Sequence, residues 1–459
     1  MVIDLGYVDA EPVAAPARRR PLWPPLTVLA VAALTLGGAA VPTPPLTETV
    51  TAVAGAGSSY AVVGDRLYLV RDDAARGEDP DRTLVALTLP AGEPLWATPY
   101  APTGERIIRI DTAGPVVLVS GGETTGRIRR TDAYAAATGR PLWAVQEEVV
   151  VDAAAGTGYV SRADPPRLRV LDLATGAPLW TADFTDRFTF TAVGGPAPVA
   201  GRIPAREAPE SEANAVGADT GGATVTAGEG GSVPLGDGRL AVVVRSGGIE
   251  LRDARTGAIV TAADPLGPGT LPLATVSAGG GLVVYYAQRG GTGLAGFDPD
   301  SLALRWRASV DIDGGGLGRC LALVCVSSRG DVIALDPVTG RQRWRTADAS
   351  YLVEARGQLI ALGSVPGGLG PVHTVDPDTG DTVADLRGWR TGARGDPIVT
   401  RIPLGTPRTV IAQLGPPTGV LRPLGTAAEV LLSCQSGPVA VVCRTAAGEL
   451  RIWALRDGR

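Results

Sequence analysis

One short phrase recurs along the chain, and it restricts the fold more than any other feature. Leu171-Asp172-Leu173-Ala174-Thr175-Gly176 is followed by Ala-Pro-Leu-Trp, and Leu335-Asp336-Pro337-Val338-Thr339-Gly340 by Arg-Gln-Arg-Trp. Val375-Asp376-Pro377-Asp378-Thr379-Gly380 is a third copy. Weaker copies end at Gly92, Gly139, Gly257 and Gly458, and at Phe297-Asp298-Pro299-Asp300-Ser301-Leu302 a leucine takes the place of the glycine. The marks are separated by 47, 37, 81, 45, 38, 40 and 78 residues, so two gaps are near double the others. Trp96, Trp143, Trp180, Trp306 and Trp344 each lie four residues after a mark. Five of eight tryptophans in one phase signify an internal repeat of about forty residues.

Each unit reads as a hairpin. An alternating run such as Asp331-Val332-Ile333-Ala334-Leu335 precedes the mark and reads as a strand. Asp-Pro opens a turn, because proline presets φ and the aspartate oxygen can accept nearby backbone N–H groups. Glycine supplies the left-handed residue that closes it. A second strand follows and carries the tryptophan, which in a radial array of sheets belongs at the joint between neighbours. The 62 glycines and 38 prolines, roughly a fifth of the chain, exclude helical bundles and coiled coils.

The L-D-x-x-T-G-x-x-x-W pattern resembles the PQQ-like, quinoprotein-type β-propeller repeat, and the resemblance extends from about residue 49 to Arg459. That family includes quinone-dependent dehydrogenases, the outer-membrane assembly lipoprotein BamB, and membrane-anchored extracytoplasmic proteins. The fold expected is therefore all-β: an eight-bladed propeller (alternative seven) over residues 49–459. Ten blades follow if the faint copies Asp219-Thr220-Gly221 and Pro417-Thr418-Gly419 are both real. Under the eight-blade reading, residues 183–237 and 385–433 carry extra length. The stretch Glu449 to Leu455 reads as a strand with no outer neighbour after it. The β-prone stretch Thr47 to Val53 is unassigned, so it is expected to complete the last blade and remove two exposed sheet edges.

One transmembrane helix is expected before the propeller. Residues 22–41 carry no charge, and Arg18-Arg19-Arg20 precede them. Twenty helical residues span about 30 Å, the thickness of a bilayer core. The reading is a cytoplasmic tail at 1–20, a signal-anchor helix at 21–41 in the lipid bilayer, a linker at 42–48, and an extracytoplasmic propeller, by the positive-inside rule. A cleaved signal peptide ending near Gly38-Ala39-Ala40 is the alternative. All 42 basic residues are arginine, and Met and His occur once each, which resembles the coding bias of a high-GC bacterium.

The four cysteines, Cys320, Cys325, Cys434 and Cys443, suit an oxidising compartment. Cys325 and Cys443 each lie fifteen residues before a mark, and each has a partner just upstream. The expected bridges are Cys434 with Cys443, across the turn residues Ser436-Gly437-Pro438, and Cys320 with Cys325. The latter pair flanks Leu-Ala-Leu-Val, with no turn residue. A straight strand there would separate the α-carbons by about 16 Å, so the stretch must bend or the pair is unbonded.

No catalytic, cofactor-binding or metal-binding residue is assigned. His373 is the only histidine and no nucleophile elbow surrounds it. The repeated aspartates already have a role in their turns. The quinone-dependent members of the family hold their cofactor with adjacent cysteines, and no such pair occurs here, so no cofactor is expected. A net charge of −5 argues against nucleic acid. What remains is a non-catalytic module that binds an envelope protein or acts as a scaffold. The alternatives are a sensor propeller that binds a small ligand and, behind it, a quinone-dependent dehydrogenase.

Overall fold

The structure is a computed structural model. It describes residues 46–52, 59–73, 81–100, 106–123, 128–153, 155–193, 238–267, 269–310, 316–328, 330–355, 357–365, 368–392, 397–415 and 419–455. The expected tail and signal-anchor helix, and most of the linker, lie outside these residues, as do the faint copy at 219–221 and the mark at Gly458. Among the described residues no helix is long and apolar enough to cross a membrane.

The strands form nine four-stranded antiparallel sheets, each a meander of consecutive strands except the last. The repeat is thus a nine-bladed propeller, and the expectation of eight blades is corrected. Blades 1 to 8 span residues 60–100, 106–145, 150–183, 188–263, 271–309, 317–347, 351–385 and 390–427. Blade 9 takes three strands from 431–455 and its outermost strand, Leu46–Ala52, from the other end of the described chain. That strand runs antiparallel to Leu450–Leu455. The clasp is pinned by the Thr49 hydroxyl, which donates to Ile452 O at 3.1 Å, and by Arg451 against Glu48 at 3.1 Å.

The missed blade is blade 8, whose mark is the faint copy at Gly419. Its turn closes as the others do: Gly419 N–H donates to Gly415 O at 2.9 Å, with φ of +62°. The aspartate is replaced by Gly415, and the residue four after the previous mark is Ala384 rather than Trp. Only the backbone part of the signature survives, so the length at 385–433 conceals a whole sheet. By contrast, residues 194–237 are an insertion between two consecutive strands of blade 4, Phe188–Val193 and Arg239–Val244.

Propeller sheets are covered on both faces, so their middle strands read as continuous apolar runs such as Val116-Val117-Leu118-Val119. The core is accordingly divided among the joints. Nine clusters of buried side chains each draw on two adjacent blades, from Leu67 and Val442 at the joint of blades 9 and 1 to Ile360 and Ala412 at that of blades 7 and 8.

Each disulfide lies within a single blade, blade 6 for Cys320–Cys325 and blade 9 for Cys434–Cys443, between that blade's first and second strands. Cys434 and Cys443 are direct cross-strand partners with α-carbons 4.0 Å apart. Cys320 and Cys325 are 5.7 Å apart because the chain reverses at Leu321-Ala322, Leu321 taking φ of +58°. The bend required by a Cys320–Cys325 bridge is made by a leucine in a conformation that glycine usually fills.

Candidate functional site

The repeated residues come together at the joints. In the five marks that carry it, at Asp172, Asp253, Asp298, Asp336 and Asp376, the aspartate carboxylate accepts from the turn it opens. Asp376 Oδ1 takes the N–H groups of Asp378 and Thr379 at 2.9 Å each, and Asp253 Oδ1 takes the Thr256 N–H at 2.7 Å and its hydroxyl at 2.8 Å. The Thr379 N–H, with that of Asp378, holds the Asp376 carboxyl below its ordinary range, and the Thr256 N–H does the same for Asp253. The carboxylates are therefore occupied as caps.

In the five blades that carry it, a bulge in the outermost strand sets the tryptophan. In blade 3 the register steps between Val170 opposite Trp180 and Leu171 opposite Pro178. The ring then lies against the turn of the next blade. Trp96, Trp143, Trp180, Trp306 and Trp344 donate their indole N–H to the carbonyl oxygens of Ala136, Leu173, Ala254, Pro337 and Pro377, at 2.7 to 3.0 Å. Each acceptor sits three residues before the glycine of its mark, and that glycine lies under the ring. An added Cβ at Gly340 would fall 2.5 Å from Trp306 Cδ2, and one at Gly380 would fall 2.8 Å from Trp344 Cβ. The glycine thus serves twice, through positive φ and through the absence of a Cβ. Trp344 is buried and the other four are half-buried.

The exception explains the rule. The residue facing the mark of blade 5 is Thr261, not Trp, and there the glycine becomes Leu302, at φ of +57° and buried. With no ring overhead, a side chain fits. Arg239 joins that corner by an ion pair to Asp300.

The innermost strands are tied by polar contacts that the repeat does not announce. The Thr189 and Thr275 hydroxyls share a hydrogen bond of 2.8 Å between blades 4 and 5. Gln435 exchanges bonds with Val62 N–H and Tyr60 O, at 2.9 and 3.0 Å, between blades 9 and 1. Buried Arg109 reaches Asp111 at 2.5 Å, Glu148 at 3.1 Å and Val149 O at 3.0 Å. Arg319 and Glu354 face each other at 3.8 Å across blades 6 and 7. Burial raises the Glu354 carboxyl and lowers the Arg319 guanidinium, each opposed by the other's charge. Apart from Arg109 with Asp111 on one strand, sequence spacing could not find these contacts, since the partners come from different blades or from the segment between them.

His373 is buried, with Nε2 3.0 Å from the Thr346 hydroxyl. Burial holds its pKa below the usual value, so it is neutral at pH 7. All four cysteines are in disulfides. Among the described residues no three His, Cys, Asp or Glu side chains gather as a metal cluster.

A family profile described as outer membrane protein assembly factor BamB matches residues 164–347 and, in a second overlapping match, 245–455. No curated protein matches the chain in sequence. Among solved structures, BamB from Moraxella catarrhalis is 14% identical, with 90% of this chain and 99% of that chain covered and a TM-score of 0.39. The computationally designed Ika8 protein is 12% identical over 89% of this chain and 100% of its own, at 0.39. The C-terminal WD40 domain of Sif2 is 7% identical over 90% and 98%, at 0.41.

Proposed function

Because the chain belongs to the PQQ-like β-propeller repeat family, whose matching profile is described as an outer-membrane assembly factor, we propose that it is a non-catalytic protein-binding or scaffold module of the cell envelope. The uncharged segment at 22–41 holds it to the membrane, with residues 1–20 in the cytoplasm and the propeller outside. One observation carries the reading. The Asp, Gly and Trp residues that define the repeat are engaged in turns and joints, so its most distinctive chemistry is architectural. The surface left for function is a rim of loops and strand edges, which suits a macromolecular partner.

Two measurements test it. A photoreactive amino acid at exposed Leu369, Leu404 or Val420 should give discrete crosslinks to an envelope protein in living cells. Protease added to spheroplasts should degrade the propeller. Full protection would reverse the topology. Stoichiometric binding of PQQ with calcium, accompanied by dye reduction with alcohols or sugars, would replace the scaffold with an enzyme.

A further inference from the structure

Blade 8 differs from its neighbours in charge as well as in its faint mark. Among the described residues of 390–427 there is no aspartate or glutamate, while every other blade holds at least one and the whole chain carries a net charge of −5. Its arginines gather at the end away from the mark. Arg390 opens the innermost strand, Arg401 closes the second, and Arg408 stands immediately before the third, Thr409–Gly415. Arg390 pairs with Thr400, and Arg401 with Val410, so the three strand ends lie near one level. A Cβ added at Gly388 would lie 3.9 Å from Arg401 Nε, so the cluster adjoins the segment that carries Arg387. Arg390, Arg401 and Arg408 are exposed and form no ion pair among the described residues. Arg387 reaches Asp348 and Asp385 only at 3.8 and 4.0 Å.

The connection between the second and third strands is longer here than the two-residue turns at Asp164-Pro165 and Arg289-Gly290. Residues 402–408 read Ile-Pro-Leu-Gly-Thr-Pro-Arg, and the loop is folded on itself. Thr406 donates its N–H and its hydroxyl to Pro403 O, at 3.3 and 3.2 Å, around Gly405 at φ of +77°. At the corner of that turn Leu404 is 102% exposed, against 56% for the next large apolar side chains. The turn fixes this leucine and the fold does not bury it, so an apolar tip is presented between Arg401 and Arg408.

We infer that this end of blade 8 docks an extended acidic segment of a partner polypeptide, its carboxylates on the arginines and one apolar side chain against Leu404. Neighbouring strands stand about 5 Å apart, so the three strand ends make a row about 10 Å long. An extended chain returns a side chain to one face about every 7 Å, so the row accommodates two or three acidic residues. Guanidinium forks meet carboxylates in two-point contacts, and the local positive field draws an acidic chain to the site. The narrowness of the strip favours a polypeptide over an anionic lipid surface. Asp348 and Asp385 border it on the side of blade 7, and Glu429 and Glu449 on the side of blade 9. A broad anionic plane would meet these carboxylates together with the arginines, whereas a single chain lies between them. The inference rests on the protein-binding reading and names the surface and the partner chemistry within it.

The test uses the full-length chain in neutral detergent and a fluorescein-labelled peptide of alternating glutamate and leucine, read by anisotropy. The peptide should bind at low salt and weaken as salt rises. Arg401→Glu with Arg408→Glu should weaken binding by about tenfold or more, and Leu404→Ser by about threefold. All three side chains are exposed, so the melting curve should not change. Arg422→Glu, on the outermost strand of the same blade, is the control and should leave binding unchanged. A peptide of alternating lysine and leucine should not bind. No salt-sensitive binding by wild type, equal affinity of the double variant, or binding of the lysine peptide would overturn the inference. So would a lipid adduct at a photoreactive amino acid in position 404 in vesicles containing phosphatidylglycerol, since the occupant would then be a membrane. Failure here is separable from failure of the protein-binding reading, which crosslinks at Leu369 and Val420 in living cells report independently.

Discussion

The joint between Gly340 and Trp306 allows a prediction in which two substitutions partly cancel. Trp306→Ala removes a half-buried indole and its hydrogen bond to Pro337 O, at about 3 kcal/mol. Gly340→Ala fails for two reasons. Its φ of +69° costs a non-glycine residue roughly 1–2 kcal/mol. The new methyl also lies 2.5 Å from the ring, which must leave its seat and forfeit about 2 kcal/mol of the same docking energy. Added independently, the two changes would cost about 6–7 kcal/mol. In the double variant there is no ring to displace, so only the backbone strain and the lost indole remain, about 4–5 kcal/mol, a coupling of about −2 kcal/mol. The corner at Thr261 and Leu302 is a natural instance of the double variant. The assay is a double-mutant cycle from urea unfolding, followed by far-ultraviolet circular dichroism so that loss of a tryptophan does not alter the probe. Additivity within about 0.5 kcal/mol would refute the claim that the missing Cβ and the ring share one space.

The turn carboxylates contribute stability only while ionised. A folded pKa held below the unfolded value of about 3.9 stabilises above that value, and the contribution is lost as pH falls through the folded pKa. Asp376→Ala should therefore lower the urea midpoint at pH 7 and lose less than wild type between pH 4 and pH 2. Removing one member of the Arg319–Glu354 pair strands the other in a buried site, so Arg319→Met alone should cost about 2–3 kcal/mol. The double change Arg319→Met with Glu354→Leu should recover most of that in the same denaturation assay. The Cys434–Cys443 bridge closes a loop with a sequence separation of 9, worth roughly 2.5 kcal/mol through the unfolded state. Replacing both cysteines with alanine should lower the unfolding free energy by that amount at unchanged secondary structure.

The parts of this fold that were legible in sequence are those where one residue type is the sole solution. A left-handed turn residue beneath an indole must be glycine, so five Trp–Gly joints announce themselves in one phase. Blade 8 was obscured because its joint uses small residues: Ala384 replaces the ring, and the Thr374 side chain packs at Gly419. A turn needs only its backbone geometry, so it persists after the recognisable side chains are gone. The closing strand was legible because one unpaired edge implied another. The reversal at Leu321 was not, since a leucine at positive φ carries no signal of its own. Contacts such as Thr189 with Thr275, 86 residues apart, depend on which strands end side by side, and no local pattern encodes that.

The clasp in blade 9 sets a waiting time. Glu48 and Arg451 are 403 residues apart in the chain yet share an ion pair. At 5–20 residues per second, synthesis separates them by roughly 20–80 s, while blades 1 to 8 can form in order from local hairpins. During that interval Leu46–Ala52 exists as a strand with no sheet to join. Its sequence suits the delay: Leu-Thr-Glu-Thr-Val-Thr-Ala places threonine or glutamate at four of seven positions. Its charged Glu48 interrupts what would otherwise be an uncharged, β-prone run, the kind of window that aggregates when exposed. The ring is thus completed by the strand synthesised before all the others described, and the charge at Glu48 falls where an early, unpaired strand has most use for one.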